Sequence, residues 1–126
     1  MILDENFIQQ ALKGFERDRS IGSVSVKVLR QDGKTLDSTG LFLSLWLTAR
    51  ERGYGRKDDG QFDREGFVFG ASGAVAFYRR EMLEDIKSGG EYFDNRFKMF
   101  YEDLDIAWRA QRAGWKCYYI PKARAY

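Results

Sequence analysis

The sequence contains no histidine, a single cysteine, a single proline and no long apolar run. One cysteine, Cys117, cannot form an internal disulfide, which favours packing in a predicted strand and a reducing, cytoplasmic setting. The apolar stretch 41–47 is far shorter than the roughly 20 residues of a membrane-spanning helix. The 21 basic residues nearly balance the 19 acidic ones, so the net charge of +2 gives no argument for nucleic acid or an anionic membrane as a partner.

The composition instead indicates one compact domain with a real core. Hydrophobic residues make up 44% of the 126 residues and aromatic residues 16%. Helical spacing of apolar residues predicts a helix over about 5–17, with Asp4 as its cap. Residues 21–29 alternate in polarity and predict a strand with one solvated side, the side that would carry Ser23, Ser25 and Lys27.

The middle of the chain gives weaker signals. Residues 41–50 fit a strand or a helix, and residues 51–65 hold five acids and three glycines, which predicts an exposed, mobile loop. Residues 67–77 predict a buried strand or strand-turn. Residues 80–87 predict a short helix, with Gly89 and Gly90 as its stop.

A cluster of small residues, Gly70, Ala71, Ser72 and Gly73, lies inside the predicted strand 67–77. Glycine weakens a strand unless a ligand or another backbone must approach closely, so the cluster indicates either a surface for substrate or tight packing against a helix. Its spacing does not match a phosphate-binding loop.

The most specific segment is 97–126, in which two adjacent carboxylates follow an apolar lead-in. Glu102 and Asp103 stand where a helix begins, and acids beside apolar walls are candidates for proton chemistry. The alternative is that one of them only caps the helix and complements its dipole. Asp103 and Asp105 do not form a metal site by themselves, because helical positions two apart point roughly 200° away from each other.

The helix that follows is predicted to be amphipathic and to end at Gly114. Its apolar side comprises Leu104, Ala107, Trp108 and Gln111, widened by Ile106, Ala110 and Ala113, with Arg109 and Arg112 opposite. Asp105 and Arg109 have the spacing of an intrahelical ion pair. A strand over 115–120 should then be closed by Pro121. Trp108 and Trp115 are candidates either for stacking on a sugar or for the core.

These residues resemble the C-terminal signature of family-2 glycosyltransferases, especially the rhamnosyltransferase-like branch. The positions that fit the signature are Tyr101, Glu102, Asp103, Asp105, Ile106, Arg109, Gly114, Pro121 and Ala123. Upstream, residues 67–83 resemble the family's small-residue strand and doubled arginine, and residues 91–100 resemble its Phe-Asp lead-in. Residues 2–34 resemble the helix and strand that follow its metal-binding loop.

The resemblance implies an α/β fold: a mixed sheet flanked by helices, forming the incomplete second half of a GT-A nucleotide-diphospho-sugar transferase. In that register the nucleotide-binding half would precede Met1, and the family's histidine would follow Tyr126. We therefore expect residues 1–126 to be a single domain without its nucleotide-binding half, from a longer enzyme or a shortened gene, and inactive alone.

By the same resemblance, the longer parent transfers a sugar from a nucleoside-diphosphate donor to a saccharide or lipid-linked acceptor hydroxyl with inversion. Asp103 would be the base and Glu102 would orient the acceptor or tune Asp103. Tyr101, Arg109 and the cluster Gly70 to Gly73 would line the substrate. The parent would use Mg²⁺ or Mn²⁺ and work in the cytoplasm at the inner face of the membrane, whereas this chain would hold no metal.

A competing hypothesis is a non-catalytic module that binds a partner or its own copy. Uncovered strand edges pair readily, so we expect a homo-oligomer formed by sheet-edge pairing or by exchange of residues 41–50.

Overall fold

A computed structural model describes residues 2–43, 49–72, 75–87 and 102–126, with backbone alone at residues 49, 102 and 103. The helices of the described residues are α1 Phe7–Lys13, followed by a 3-10 turn Gly14–Glu16, then α2 Arg80–Ile86 and α3 Glu102–Arg112. The strands are β1 Ile21–Leu29, β2 Leu36–Ser38, β3 Leu41–Leu43, β4 Ala49–Glu51, β5 Gly66–Val68, β6 Ala76–Tyr78 and β7 Lys116–Ala125.

Strand β1 lies at the centre of a mixed sheet. It pairs in parallel with β7 on one edge and antiparallel with β2 and β6 on the other, and β5 pairs antiparallel with β7. Strands β3 and β4 form a separate antiparallel pair. This curled mixed sheet with flanking helices confirms the predicted fold class and is consistent with part of a GT-A domain.

One face of the sheet packs against α1. Phe7 and Ala11 of the helix join Val24, Val26 and Val28 of β1 in a buried cluster that also contains apolar residues of β7. The predicted helix over 5–17 is therefore present, but its regular α-helical part is shorter and ends in the 3-10 turn. The prediction that Asp4 caps it is wrong, because the helix begins at Phe7 and Asn6 occupies the cap position.

The opposite face of β1 is buried too, so the prediction of a solvated side is wrong. All nine residues of β1 are buried, including Ser23, Ser25 and Lys27. At Lys27 the reason is that residues 52–65 lie over this face. Lys27 Nζ binds the carboxylate of Asp58 at 3.2 Å, and the hydroxyl of Tyr119 donates to the carbonyl of Phe62 at 2.8 Å.

The segment predicted as an exposed loop is thus attached to the sheet. It begins in β4 and continues as turns whose residues are mostly exposed. The strand interpretation of 41–50 is confirmed for β3 and β4, and residues 44–48 lie outside the described residues. The segment predicted as one strand contains two, β5 and β6, and Phe67 is exposed rather than buried. Helix α2 is confirmed, while Gly89 and Gly90 lie outside the described residues.

Strand β7 does not end at Pro121, which corrects the prediction for 115–120. Its register against β1 jumps between Val26, opposite Ile120, and Lys27, opposite Arg124. Residues 121–123 therefore form an irregularity in the ladder, where a proline without an N–H can be accommodated. No helix within the described ranges is long and apolar enough to cross a bilayer.

Candidate functional site

The acid pair lies on the first turn of α3. The helix begins at Glu102, as the sequence predicts, and runs to Arg112. Gly114 follows with a φ of 91°, so its predicted role in ending the helix is confirmed. Helical geometry puts position 103 one turn before Ala107 and on the same side of α3.

The buried side of α3 differs from the predicted one. Ile106, Ala107 and Ala110 are buried, whereas Trp108 and Gln111 are exposed. Ile106 and Ala110 pack with Met82 and Ile86 of α2. The buried side of α3 is therefore narrower than the sequence predicts, because it excludes Trp108, Gln111 and Ala113.

Gly70 gives α3 its close approach to the sheet. A Cβ at Gly70 would lie 2.4 Å from the Cβ of Ala107, so any larger residue would force the helix away. Gln111 Nε2 donates to the carbonyl of Phe69 at 3.0 Å. The tight-packing interpretation is confirmed at Gly70, and a role of Gly70 in binding substrate stays a prediction.

Ala71 and Ser72 are also buried. The hydroxyl of Ser72 donates to Oε1 of Glu51 at 3.0 Å, and the hydroxyl of Ser38 donates to Oε2 of the same carboxylate. Glu51 thereby joins β2 and β4 to the small-residue segment, a role that sequence reasoning missed because Glu51 opens a segment poor in apolar residues. Gly73 lies outside the described residues.

Arg109, a predicted substrate residue, is half-buried and contacts the protein. Its Nη2 lies 3.0 Å from Oδ2 of Asp105, which confirms the predicted ion pair, although the geometry is not that of a hydrogen bond. Its Nη1 donates to the carbonyl of Ile86, which ties α3 to the end of α2. Tyr101, the other predicted substrate residue of this region, lies outside the described residues.

The two tryptophans have different surroundings. Trp115 packs against the cluster between α2 and α3, and its Nε1 donates to Oδ2 of Asp85 at 2.9 Å. The core interpretation is therefore confirmed for Trp115. Trp108 is exposed and makes a tilted ring contact with Phe69 at a centroid distance of 6.2 Å. An exposed ring of this kind is available for stacking.

The acid pair at the start of α3, the small-residue segment before it and the strand after it belong to the sequence pattern on which the resemblance was based. A family model described as glycosyl transferase family group 2 matches residues 2–126. The chain belongs to this family. No curated protein and no solved structure matches the chain significantly. Membership assigns glycosyl transfer in general, with a nucleotide-sugar and an acceptor as partners.

The described part of this glycosyltransferase does not fit a divalent metal. It contains no group of three Asp, Glu, Cys or His side chains placed to hold a cation. Asp58 and Asp63 do converge, but the ammonium of Lys27 occupies the space between them. We therefore derive no step through a metal.

The glycosyltransferase's single cysteine is not placed for nucleophilic chemistry. Cys117 is buried in β7, and burial raises the pKa of its thiol to about 12. Because the thiolate is the reactive form, the thiol stays protonated and unreactive at neutral pH. Its place among buried residues supports the packing role that the sequence predicts.

Proposed function

We propose that this glycosyltransferase supplies the acceptor side of an inverting transfer, in which Asp103 takes the proton of the acceptor hydroxyl. The donor would be a nucleoside-diphosphate sugar, and the acceptor a saccharide or a lipid-linked saccharide. A hydroxyl is a poor nucleophile at neutral pH, so a carboxylate must accept its proton as the bond to the anomeric carbon forms. Family membership supports the reaction class, and the position of the acid pair on α3 supports the residue.

The observation that carries this proposal is that contacts on two sides fix the position of α3. Its first turn contains residues 102 and 103, and its body is fixed by Gly70 on one side and by Arg109 and the carbonyl of Ile86 on the other. A base must be positioned to within a fraction of an ångström, and a helix packed on two sides can hold a residue that precisely.

We assign the neighbouring acid, Glu102, to orienting the acceptor or tuning Asp103. Adjacent carboxylates oppose each other's ionisation, so each shifts the titration of the other. By the motif resemblance, we also assign Tyr101 and Gly73 to binding the substrate. A rhamnosyl or other hexosyl donor and a place at the cytoplasmic face of the membrane follow from the motif resemblance and belong to the same proposal.

The decisive comparison is Asp103→Asn against Asp105→Asn in the active enzyme. Asparagine keeps the shape of the base but cannot accept the proton, so kcat should fall by about 10²–10⁴ with donor affinity nearly unchanged. Asp105→Asn weakens the ion pair with Arg109 and should act on stability while leaving kcat close to wild type. Wild-type turnover by the Asp103 variant would show that another group is the base.

A second candidate function, a self-associating module, has one supporting observation. Ile8 and Leu12 are exposed one turn apart on α1, and helix-to-helix pairing of two copies would cover both. Sheet-edge pairing through β1 is not available, because both of its edges are already paired. We expect Ile8→Glu/Leu12→Glu to convert a dimer into a monomer in sedimentation at micromolar concentration. A monomeric wild-type chain would remove this candidate.

A further inference from the structure

An open cleft of about 660 Å³ lies beside β4, on the side of the molecule formed by the β3–β4 pair and the turns that follow it. Three arginines and three aromatic residues contribute to its wall: Arg50, Arg52, Arg56, Phe42, Tyr54 and Phe62. None of these residues belongs to the acid-pair site, and the described part of the chain supplies all of them. A cleft with this composition is suited to an anion that carries a flat or apolar group.

The arginines of the cleft form no ion pair with any acid that the structure describes. Within the described ranges no carboxylate forms an ion pair with Arg50, Arg52 or Arg56, and Arg50 and Arg56 are exposed. Glu51, the one acid among the described residues of the wall, accepts hydrogen bonds from two serine hydroxyls through its two oxygens. Its carboxylate is therefore bound by serine hydroxyls, and the three arginines have no acidic counter-ion among the residues that the structure describes.

Three acids of the neighbouring segments bind other cations. Asp58 and Asp63 bind Lys27, and Asp37 lies 3.9 Å from Arg30. Arg30 in turn stacks over the ring of Tyr54 at 5.2 Å, so a fourth guanidinium lies at the margin of the cleft. Arginines thus outnumber acids among the described residues of the cleft although the whole chain is nearly neutral, and such a surface attracts anions.

Arg52 is the fixed member of the group. Its guanidinium lies between the rings of Phe62 and Tyr119, 4.9 Å and 4.7 Å from their centroids, and one Nη donates to the carbonyl of Thr39 at 3.1 Å. Its buried Nε has no acceptor. Burial without a carboxylate lowers the pKa of this guanidinium, and a bound anion would raise that pKa. An arginine that is already oriented loses little side-chain entropy when it binds an anion.

The aromatic side of the cleft indicates what the anion is attached to. Tyr54 is 62% exposed, and Phe42 is also exposed and lies opposite Arg50 across the β3–β4 pair. Exposed rings beside guanidinium groups match a ligand that offers phosphate oxygens to arginine and an apolar sugar face to an aromatic ring.

We propose that this cleft binds a sugar phosphate, with Arg50 and Arg56 contacting the phosphate or diphosphate group and Tyr54 stacking on the sugar. The statement that this ligand is the phosphate-bearing end of the acceptor rests on the proposed function. The statement that the cleft binds a sugar phosphate does not. The cleft thus gives the glycosyltransferase a preference for phosphorylated over neutral saccharides.

The test is calorimetric titration of the chain with glucose 1-phosphate and with inorganic pyrophosphate, at low salt because screening weakens such contacts. Arg50→Gln/Arg56→Gln should bind both ligands about 10- to 100-fold more weakly. The matched control is Arg19→Gln/Arg112→Gln, which removes the same charge from two exposed arginines that have no side-chain partner in the described structure. The control should bind like the wild type.

A second pair of variants tests the contact with the sugar separately from the contact with the phosphate. Tyr54→Ala should weaken glucose 1-phosphate but not pyrophosphate, and Tyr54→Phe should restore the sugar phosphate because the flat ring is retained. Thermal unfolding of each variant establishes that the fold is kept.

Three results would overturn the proposal. They are no binding of either ligand by the wild-type chain, equal weakening by the cleft and control variants, and retention on anionic phosphatidylglycerol vesicles without binding of the soluble ligands. None of these results depends on Asp103. The assignment of Asp103 as the base is tested separately, by the kcat of Asp103→Asn.

Discussion

The ammonium of Lys27 lies 3.2 Å from the carboxylate of Asp58, although 31 residues separate them in the chain. Lys27 has no exposed surface, and the side chain of Asp58 is 12% exposed. Asp63 completes the cluster from a side chain that is 53% exposed. A buried lysine is tolerated only when its charge is compensated, so this contact holds residues 52–65 on the sheet.

Removing Asp58 should therefore cost more stability than removing Asp63. Asp58→Ala leaves a buried charge poorly compensated, and the free energy of unfolding should fall by about 3–5 kcal/mol. Asp63→Ala removes a half-exposed partner and should cost about 1 kcal/mol. Urea unfolding measures both values.

Adding Lys27→Met to Asp58→Ala provides the control for this pair. The second change removes the unpaired charge and should recover part of the lost stability. Equal losses for the two aspartate variants, or no recovery in the double variant, would show that the cluster does not hold the segment.

Stability should fall in acid through the turn that contains Asp32. Backbone N–H groups of Lys34 and Thr35 and the hydroxyl of Thr35 donate to its carboxylate, and they lower the pKa of Asp32 from 3.8 to about 2. Because the pKa of Asp32 is lower in the folded state than in the unfolded state, its ionised carboxylate stabilises the fold at pH values above the unfolded pKa. That contribution is lost as pH falls from 3.8 towards about 2.

The measurement is thermal unfolding as a function of pH for wild type, Asp32→Asn and Asp59→Asn. The Asp32 variant should show a shallower loss between pH 3.8 and about 2. The side chain of Asp59 accepts no hydrogen bond within the described structure, so its variant should follow the wild-type curve. Identical slopes for all three proteins would contradict the assignment.

The contact between Gly70 and Ala107 predicts a sharp difference between two glycines. Gly70→Ala puts a methyl group 2.4 Å from the Cβ of Ala107 and should destabilise the fold by about 1–3 kcal/mol. Gly66→Ala in β5 meets nothing within 4 Å and should be close to neutral. Adding Ala107→Gly to Gly70→Ala should restore part of the loss despite the cost of glycine in a helix. Equal effects of the two alanine substitutions in thermal unfolding would show that the close approach is not tight.

The stacked position of Arg52 predicts that lysine cannot replace arginine there. Arg52→Lys keeps the charge but loses the planar group between Phe62 and Tyr119, and the free energy of unfolding should fall by about 1–2 kcal/mol. Arg50 lies two positions earlier in the chain and is exposed. Arg50→Lys should therefore change the free energy of unfolding by less than about 0.5 kcal/mol. A tolerated lysine at position 52 would mean that the rings contribute no attraction.

Local signals in the sequence predicted the elements of this fold well. The alternation of residues 21–29 gave the bounds of β1, and the acid pair and Gly114 gave the two ends of α3. Each of these signals depends on neighbours in the chain, such as a cap, a period or a conformation that only glycine adopts readily.

The errors come from contacts between distant segments. The polarity of Lys27 indicated solvent, but its partners lie in a turn-rich segment whose composition resembles an exposed loop. Pro121 indicated the end of a strand, but a change of register against β1 accommodates it. The only hint of the buried cluster was a lone lysine among the alternating residues of a central strand, and periodicity alone cannot find its partner.

The pairing of β1 with β7 also sets the order in which the chain can fold. Residues 21–29 find their parallel neighbour only at residues 116–125, so the centre of the sheet closes one of the longest loops in the chain. Long-range parallel pairing slows folding, because the entropy of loop closure is lost before the contacts that repay it are made. During synthesis β1 leaves the ribosome well before β7, so one edge of β1 stays unpaired until residues 116–125 have emerged.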